Sequence, residues 1–191
     1  MRTVLALAAA ILAVAAPGCG SSTPGGPSGG GSTSGGGGTS SGGMTATAVA
    51  NEGWVHVAEG SPVTYAHNPP ASGPHYPVWA RYEEFTTPLA RPYWVHNLEH
   101  GAIVFVYRPD ASATTVTALR AAFRGLPNDP ECGHPRALMT PDPLLARPVA
   151  VIAADWTLES DGAVDAQAIR DFTSAHRNHS PEDICAGGAR P

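Results

Sequence analysis

His96-Asn97-Leu98-Glu99-His100-Gly101 sets two imidazoles and a carboxylate within five residues, directly ahead of the apolar run Ala102 to Tyr107. His96 and His100 are four apart, so one turn of helix puts both rings on one face, close enough to share a metal ion. On a strand the same spacing would part them by about 13 Å. Chelation by this pair therefore predicts a helical turn at His96 to His100. Gly101, free to adopt the left-handed conformation, is placed to end that turn. His-x-x-Glu-His is also the order of the inverted zinc-protease motif, in which the histidines hold zinc and the glutamate activates water. On that reading Glu99 is the candidate catalytic base. The protease reading asks for a long helix and a further ligand, whereas the flanking sequence suggests a single turn. A metal-free alternative stays open, with Glu99 hydrogen-bonded to backbone or histidine and both rings packed at a sheet edge.

A second constellation runs from His67 to Pro77, where prolines and a glycine fix most of the backbone. It presents His75 from a stiff loop with little entropy left to lose, which suits a ligand. The alternative is a proline-rich surface loop whose histidine is incidental. If His75 meets His96 and His100, three imidazoles make a set for zinc or copper, completed by Glu99, Met139 or water. Methionine ligation would favour copper, but Met139 reads better as core. Imidazole binds metal only when neutral, so occupancy is expected to fall as the pH drops toward 5. His176 and His179 close a predicted helix and are read as structural. His56 and His134 have no partner in the sequence and receive no role. Ser72 lacks a nucleophile-elbow context, and the chain has no phosphate-binding glycine loop.

The elements that must position these residues follow from pattern. Asn51 to Pro92, rich in Pro, Gly and aromatics, predicts loops and short strands wrapped over the core. Ala102 to Tyr107 reads as a buried strand. Asp110-Ala111-Ser112 offers caps for a helix from Ala113 to Phe123, ended by Gly125. Strands are predicted at Arg136 to Thr140 and Val149 to Trp156, then a turn at Asp161-Gly162. Val164 to His176 carries an apolar stripe and predicts a second helix. The order suggests an α+β domain, a small mixed sheet with two helices packed on it, preceded by the proline-rich wrapping segment. A thioredoxin fold ends in the same order, but its chemistry needs a Cys-x-x-Cys pair, and Cys132 and Cys185 lie far apart.

The N-terminus reads as export and tether. Arg2 and the apolar run Val4 to Ala16 have the form of a secretory signal and are too short to span a bilayer. The run ends in Ala16-Pro17-Gly18-Cys19, so residues 1–18 are read as a lipoprotein signal and Cys19 as the lipid-modified residue. Ordinary cleavage after Ala13-Val14-Ala15 is the alternative. Lipidating Cys19 leaves two of the three cysteines, Cys132 and Cys185, as an expected structural disulfide in an oxidising compartment. Residues 19–43, nearly all Gly, Ser, Thr and Pro, cannot bury enough apolar surface to order and are read as a tether of roughly 25–30 Å. Residues 44–191 form one globular domain. A net charge of -5 without a basic cluster argues against nucleic acid.

Taken together, Pro69 to Tyr76, His96 to Gly101 with the strand after it, Ala153-Ala154-Asp155-Trp156 and Pro181-Glu182 resemble the uncharacterised bacterial domain-of-unknown-function family 3105. The resemblance covers nearly the whole domain. It implies that the His75 loop and the His96 to His100 turn belong to one recurring pattern, and it implies no activity. Asp155 departs from the glycine associated with the family at that position. The resulting expectation is a lipid-anchored extracytoplasmic domain of the bacterial cell envelope that binds a transition metal through His75, His96 and His100, with Glu99 beside them. A metal-dependent hydrolase with Glu99 as general base and a metal-free interaction module are the alternatives.

Overall fold

The computed structural model describes residues 39–189. The signal segment, Cys19 and most of the expected tether lie outside the described residues. No helix among the described residues is long and apolar enough to cross a membrane.

The run after Gly101 forms strand β5 (Ile103–Tyr107), an inner strand of a six-stranded mixed sheet. The other strands are β1 (Thr39–Ser41), β2 (Met44–Ala48), β6 (Ala137–Pro141), β7 (Val149–Ala153) and β8 (Trp156–Ser160), in the spatial order β1-β2-β8-β7-β5-β6. β5 and β6 are parallel, and the remaining pairs are antiparallel. The uninterrupted apolar character of β5 has a simple cause, since both of its faces are covered. Ile103 and Phe105 point to one core, while Val104 and Val106 point to another. β1 takes up the last residues of the Gly/Ser-rich stretch and extends the sheet edge beyond β2.

The first core lies under helices α2 (Ala113–Arg124) and α3 (Ala166–His176), where Leu119, Ile169 and Phe172 meet Phe105, Met139 and Val151. Ser112 caps α2 by accepting from the Thr115 amide at 3.1 Å, and Asp165 caps α3. These are the two helices that the sequence predicts. Met139 fills this core.

The second core is closed by the wrapping segment and by a third helix, α1 (Arg91–Glu99). Sequence pattern predicts only one turn here, yet the helix has nine residues. Pro92 reads in sequence as a loop residue but sits in the first turn, where its missing amide leaves no bond unmade. Pro92, Trp94, Val95, His96, Asn97, Leu98 and Glu99 are all buried, so no polar stripe marks the helix in the sequence. Asn97 fastens it to the wrapping segment, donating to Ala80 O at 2.9 Å and accepting from Ala80 N at 3.0 Å.

The predicted strand from Val149 to Trp156 is corrected to a hairpin of β7 and β8. Asp155 makes the turn with φ 61°, a left-handed conformation that aspartate tolerates, and its carboxylate accepts from Asn51 Nδ2 at 2.8 Å. A glycine there would meet the same backbone need.

Candidate metal centre

Two short elements converge on the last turn of α1. β3 (Trp54–His56) and β4 (Gly73–His75) pair in parallel, with His56 opposite His75 at their ends. Tyr76 follows directly, and its amide donates to Pro92 O at 3.2 Å, which ties the end of β4 to the start of α1. The stiff loop thus delivers His75, and its pairing partner delivers His56.

The backbone then determines where the ring protons lie. A carbonyl oxygen only accepts, so His75 must carry its proton on Nδ1, which donates to Gly73 O at 2.8 Å. By the same argument His96 carries its proton on Nδ1, donating to Tyr76 O at 2.5 Å. In its neutral form each ring then presents an Nε2 lone pair, and both Nε2 atoms are turned toward Glu99. Glu99 Oε2 lies 2.9 Å from His75 Nε2, 3.8 Å from His96 Nε2 and 3.7 Å from His56 Nε2. One ligand atom from each of His56, His75, His96 and Glu99 lies within 4.8 Å of the others. Ligands on a tetrahedral ion with metal–nitrogen bonds of about 2.0–2.1 Å stand about 3.3–3.4 Å apart. The observed spacings straddle that value.

Burial sharpens this electrostatic picture. His75 and His96 are almost wholly buried and Glu99 is 5% exposed, while the His56 side chain is 52% exposed and forms the open side of the cluster. Desolvation lowers the His96 pKa to about 4, against the opposing pull of the Tyr76 carbonyl, and the nearby His100, His75 and His56 lower it further. His96 is thus held neutral at ordinary pH. His100 is also lowered, chiefly by burial, with Glu182 acting in the other direction.

The structure brings His75, His96 and Glu99 together, and His56 with them. His100, expected in the same set, stands one position out: its Nε2 touches His96 Nε2 at 3.1 Å and Glu182 Oε2 at 3.3 Å. Gly101 ends the helix as its type suggests, with φ 77° and its oxygen accepting from Asn178 N at 3.1 Å. Of the residues considered as a fourth ligand, Glu99 is in place and Met139 is not. His176 stacks on Trp156 with ring centroids 4.4 Å apart, away from the cluster. His56 is the functional candidate that sequence reasoning missed. The one signal for it is its place in a Trp-Val-His strand, and only the pairing with Gly73 to His75 gives that meaning.

The model of the family described as "Protein of unknown function (DUF3105)" matches residues 56–187. The chain belongs to that family. The matched region of this DUF3105 chain begins at His56 and includes every member of the cluster, together with Glu182 and Cys185. No curated protein and no solved structure matches the chain.

Cys132 and Cys185 form a disulfide, as the cysteine count predicts. It ties the C-terminal segment of the DUF3105 domain to the loop between α2 and β6, and the Glu182 amide in that segment donates to Glu99 O at the end of α1. The buried Arg136 joins the same corner, donating to His100 O at 3.1 Å and pairing with Asp129 and Asp183.

Proposed function

We propose that this domain binds a transition metal ion, zinc or copper, through His56, His75, His96 and Glu99. One observation carries the reading. Two imidazoles give their Nδ1 protons to backbone carbonyls and turn their Nε2 atoms onto one carboxylate, with His75 and Glu99 only 2.9 Å apart. With His75 neutral in that tautomer, its Nε2 and the Glu99 carboxylate are both acceptors, and a cation between them gives both a partner. A backbone carbonyl on the far nitrogen is also the usual support of a metal-bound histidine, fixing its tautomer and orientation. Imidazole with carboxylate suits zinc, copper and other borderline ions better than calcium or magnesium. A proton on His75 would supply the cation in a metal-free ion pair, and that is the competing account.

The hydrolase reading gains nothing from the geometry. Glu99 Oε2 is the common neighbour of three imidazoles, an arrangement that favours a ligand role over that of a base poised on water. Elemental analysis of tag-free protein, dialysed after incubation with zinc or copper, tests metal binding directly. At least one equivalent is expected in the wild type and a clear loss in His75→Ala and Glu99→Gln. Negligible metal in the wild type would end the reading.

The domain is further proposed to work outside the cytoplasm of a bacterium, held to a membrane by lipid on Cys19. The signal-like N-terminus and a disulfide, which persists in oxidising compartments, support this. Detergent-phase partitioning of wild type and Cys19→Ser is the test. Equal partitioning of the two would remove the anchor.

A further inference from the structure

His100 is 1% exposed, yet neither tautomer satisfies its ring. Its Nε2 faces two electron-rich atoms, the lone pair of His96 Nε2 at 3.1 Å and Glu182 Oε2 at 3.3 Å, and its Nδ1 has no hydrogen-bond partner. With the proton on Nε2, Nδ1 is a buried lone pair facing nothing. With the proton on Nδ1, a buried donor is left over and the Nε2 lone pair faces two further acceptors. A buried, half-served imidazole is costly to keep, which asks for an explanation.

Glu182 adds a second, independent anomaly. It is about half exposed and free to face water, but its carboxylate turns inward to His100. The segment that carries it is fastened on both sides of it. The Glu182 amide donates to Glu99 O at 3.1 Å, and Asn178 N donates to Gly101 O at 3.1 Å. Beyond it, Asp183 pairs with Arg136 and Cys185 is bonded to Cys132. Glu99, His100 and Glu182 each offer one ligand atom, all within 4.8 Å of one another.

The geometry points to a second cation position, formed by Glu99, His100 and Glu182 and joined to the first through Glu99, so that the domain carries a two-metal centre. The inference rests on the metal-binding reading of the first position. A carboxylate has two oxygens and can ligate one ion with each, and ions clamped in this way sit about 3.5–4 Å apart. A cation beside Nε2 of His100 gives that lone pair, the inward carboxylate of Glu182 and the shared Glu99 a common partner, and so accounts for the crowding at Nε2 but not for the unpartnered Nδ1. Two carboxylates with one imidazole make a harder donor set than the three imidazoles next door, so a divalent ion such as zinc or manganese suits it.

The test uses the full chain without a tag, loaded with zinc for stoichiometry and with manganese(II) for paramagnetic resonance. Two equivalents of zinc in the wild type, one in Glu182→Gln, and a spin-coupled manganese spectrum that becomes an isolated-ion spectrum in the variant would support the position. One equivalent in both proteins overturns it and leaves the first position standing. No metal in either overturns both. Two equivalents in both would show that Glu182 holds nothing. Because the wild-type stoichiometry and spectrum decide by themselves, a variant that failed to fold would not rescue the idea.

Discussion

His56 stands opposite His75 in the parallel register of β3 and β4, and the two rings meet edge to face with centroids 4.9 Å apart. The pairing recruits an exposed histidine from a three-residue strand into a buried cluster. If His56 is a ligand, His56→Ala weakens metal binding by at least the roughly 10–100-fold that lesser disturbances of such sites produce. Because its side chain is half exposed, little stability should be lost. His134→Ala is the control, since His134 packs tilted against Tyr82 and is not a member of the cluster. Competition titration against a chromophoric chelator measures both. Equal affinities for the two variants would remove His56 from the site.

That relationship also marks where the sequence is readable and where it is not. Ala102 to Tyr107 is legible as a strand because an unbroken apolar run bounded by Gly101 and Pro109 has few other homes. α2 is legible because an apolar stripe follows a cap, and α3 because of its apolar stripe. α1 is not, because burial from Trp94 to Glu99 erases the stripe that would announce it. Asp155 hides a hairpin turn in what reads as one strand, since only its left-handed φ separates β7 from β8. The spacing of His96, Glu99 and Gly101 carries the site's local part. Its remote parts, His56 and Glu182, arrive by strand pairing and by a disulfide-held segment, and neither leaves a periodic trace.

The lowered His96 pKa sets a pH window for the metal-free protein. The group has a pKa of about 6.5 when unfolded and about 4 when folded, so between these values the unfolded chain binds more protons. Stability is therefore complete above about pH 6.5 and is lost as the pH falls toward 4. The loss amounts to as much as about 3 kcal/mol from this group, at 1.36 kcal/mol per pKa unit. His100 is shifted in the same direction and adds to it. Urea midpoints at pH 7, 5.5 and 4 in the presence of chelator, for wild type and His96→Gln, read this out, and parallel pH curves would contradict it. The same shift keeps His96 neutral at pH 5, so a fall in metal occupancy near that pH has to come from other ligands.

Gly101 joins α1 to β5 at a point where a side chain has no room. Its φ is 77°, and a Cβ there would lie 2.8 Å from Asn178 Cα. Gly101→Ala is expected to cost roughly 1–3 kcal/mol through backbone strain and displacement of the C-terminal segment. Thermal unfolding measures the loss. Because His100 and Glu182 flank this contact, zinc bound at their position should weaken more than zinc bound at His75. A variant with unchanged Tm would mean that the close approach to Asn178 is dispensable.

The Cys132–Cys185 bridge is the tether of the segment that carries Glu182. In the unfolded chain it closes a loop between residues 53 apart, which by the chain-entropy relation contributes about 4 kcal/mol at most. Its removal in Cys132→Ser/Cys185→Ser should therefore lower the urea midpoint without unfolding the sheet, whose cores do not include either cysteine. The local effect is more selective. Freed at Cys185, the segment keeps the Glu182 amide bond to Glu99 O and the Asp183 pair with Arg136, but it loses its covalent stop. Manganese bound with Glu182 should then exchange faster, while zinc held by His56, His75 and His96 is retained. Manganese exchange rates with and without reductant separate the two sites, and identical rates would detach the disulfide from the metal centre.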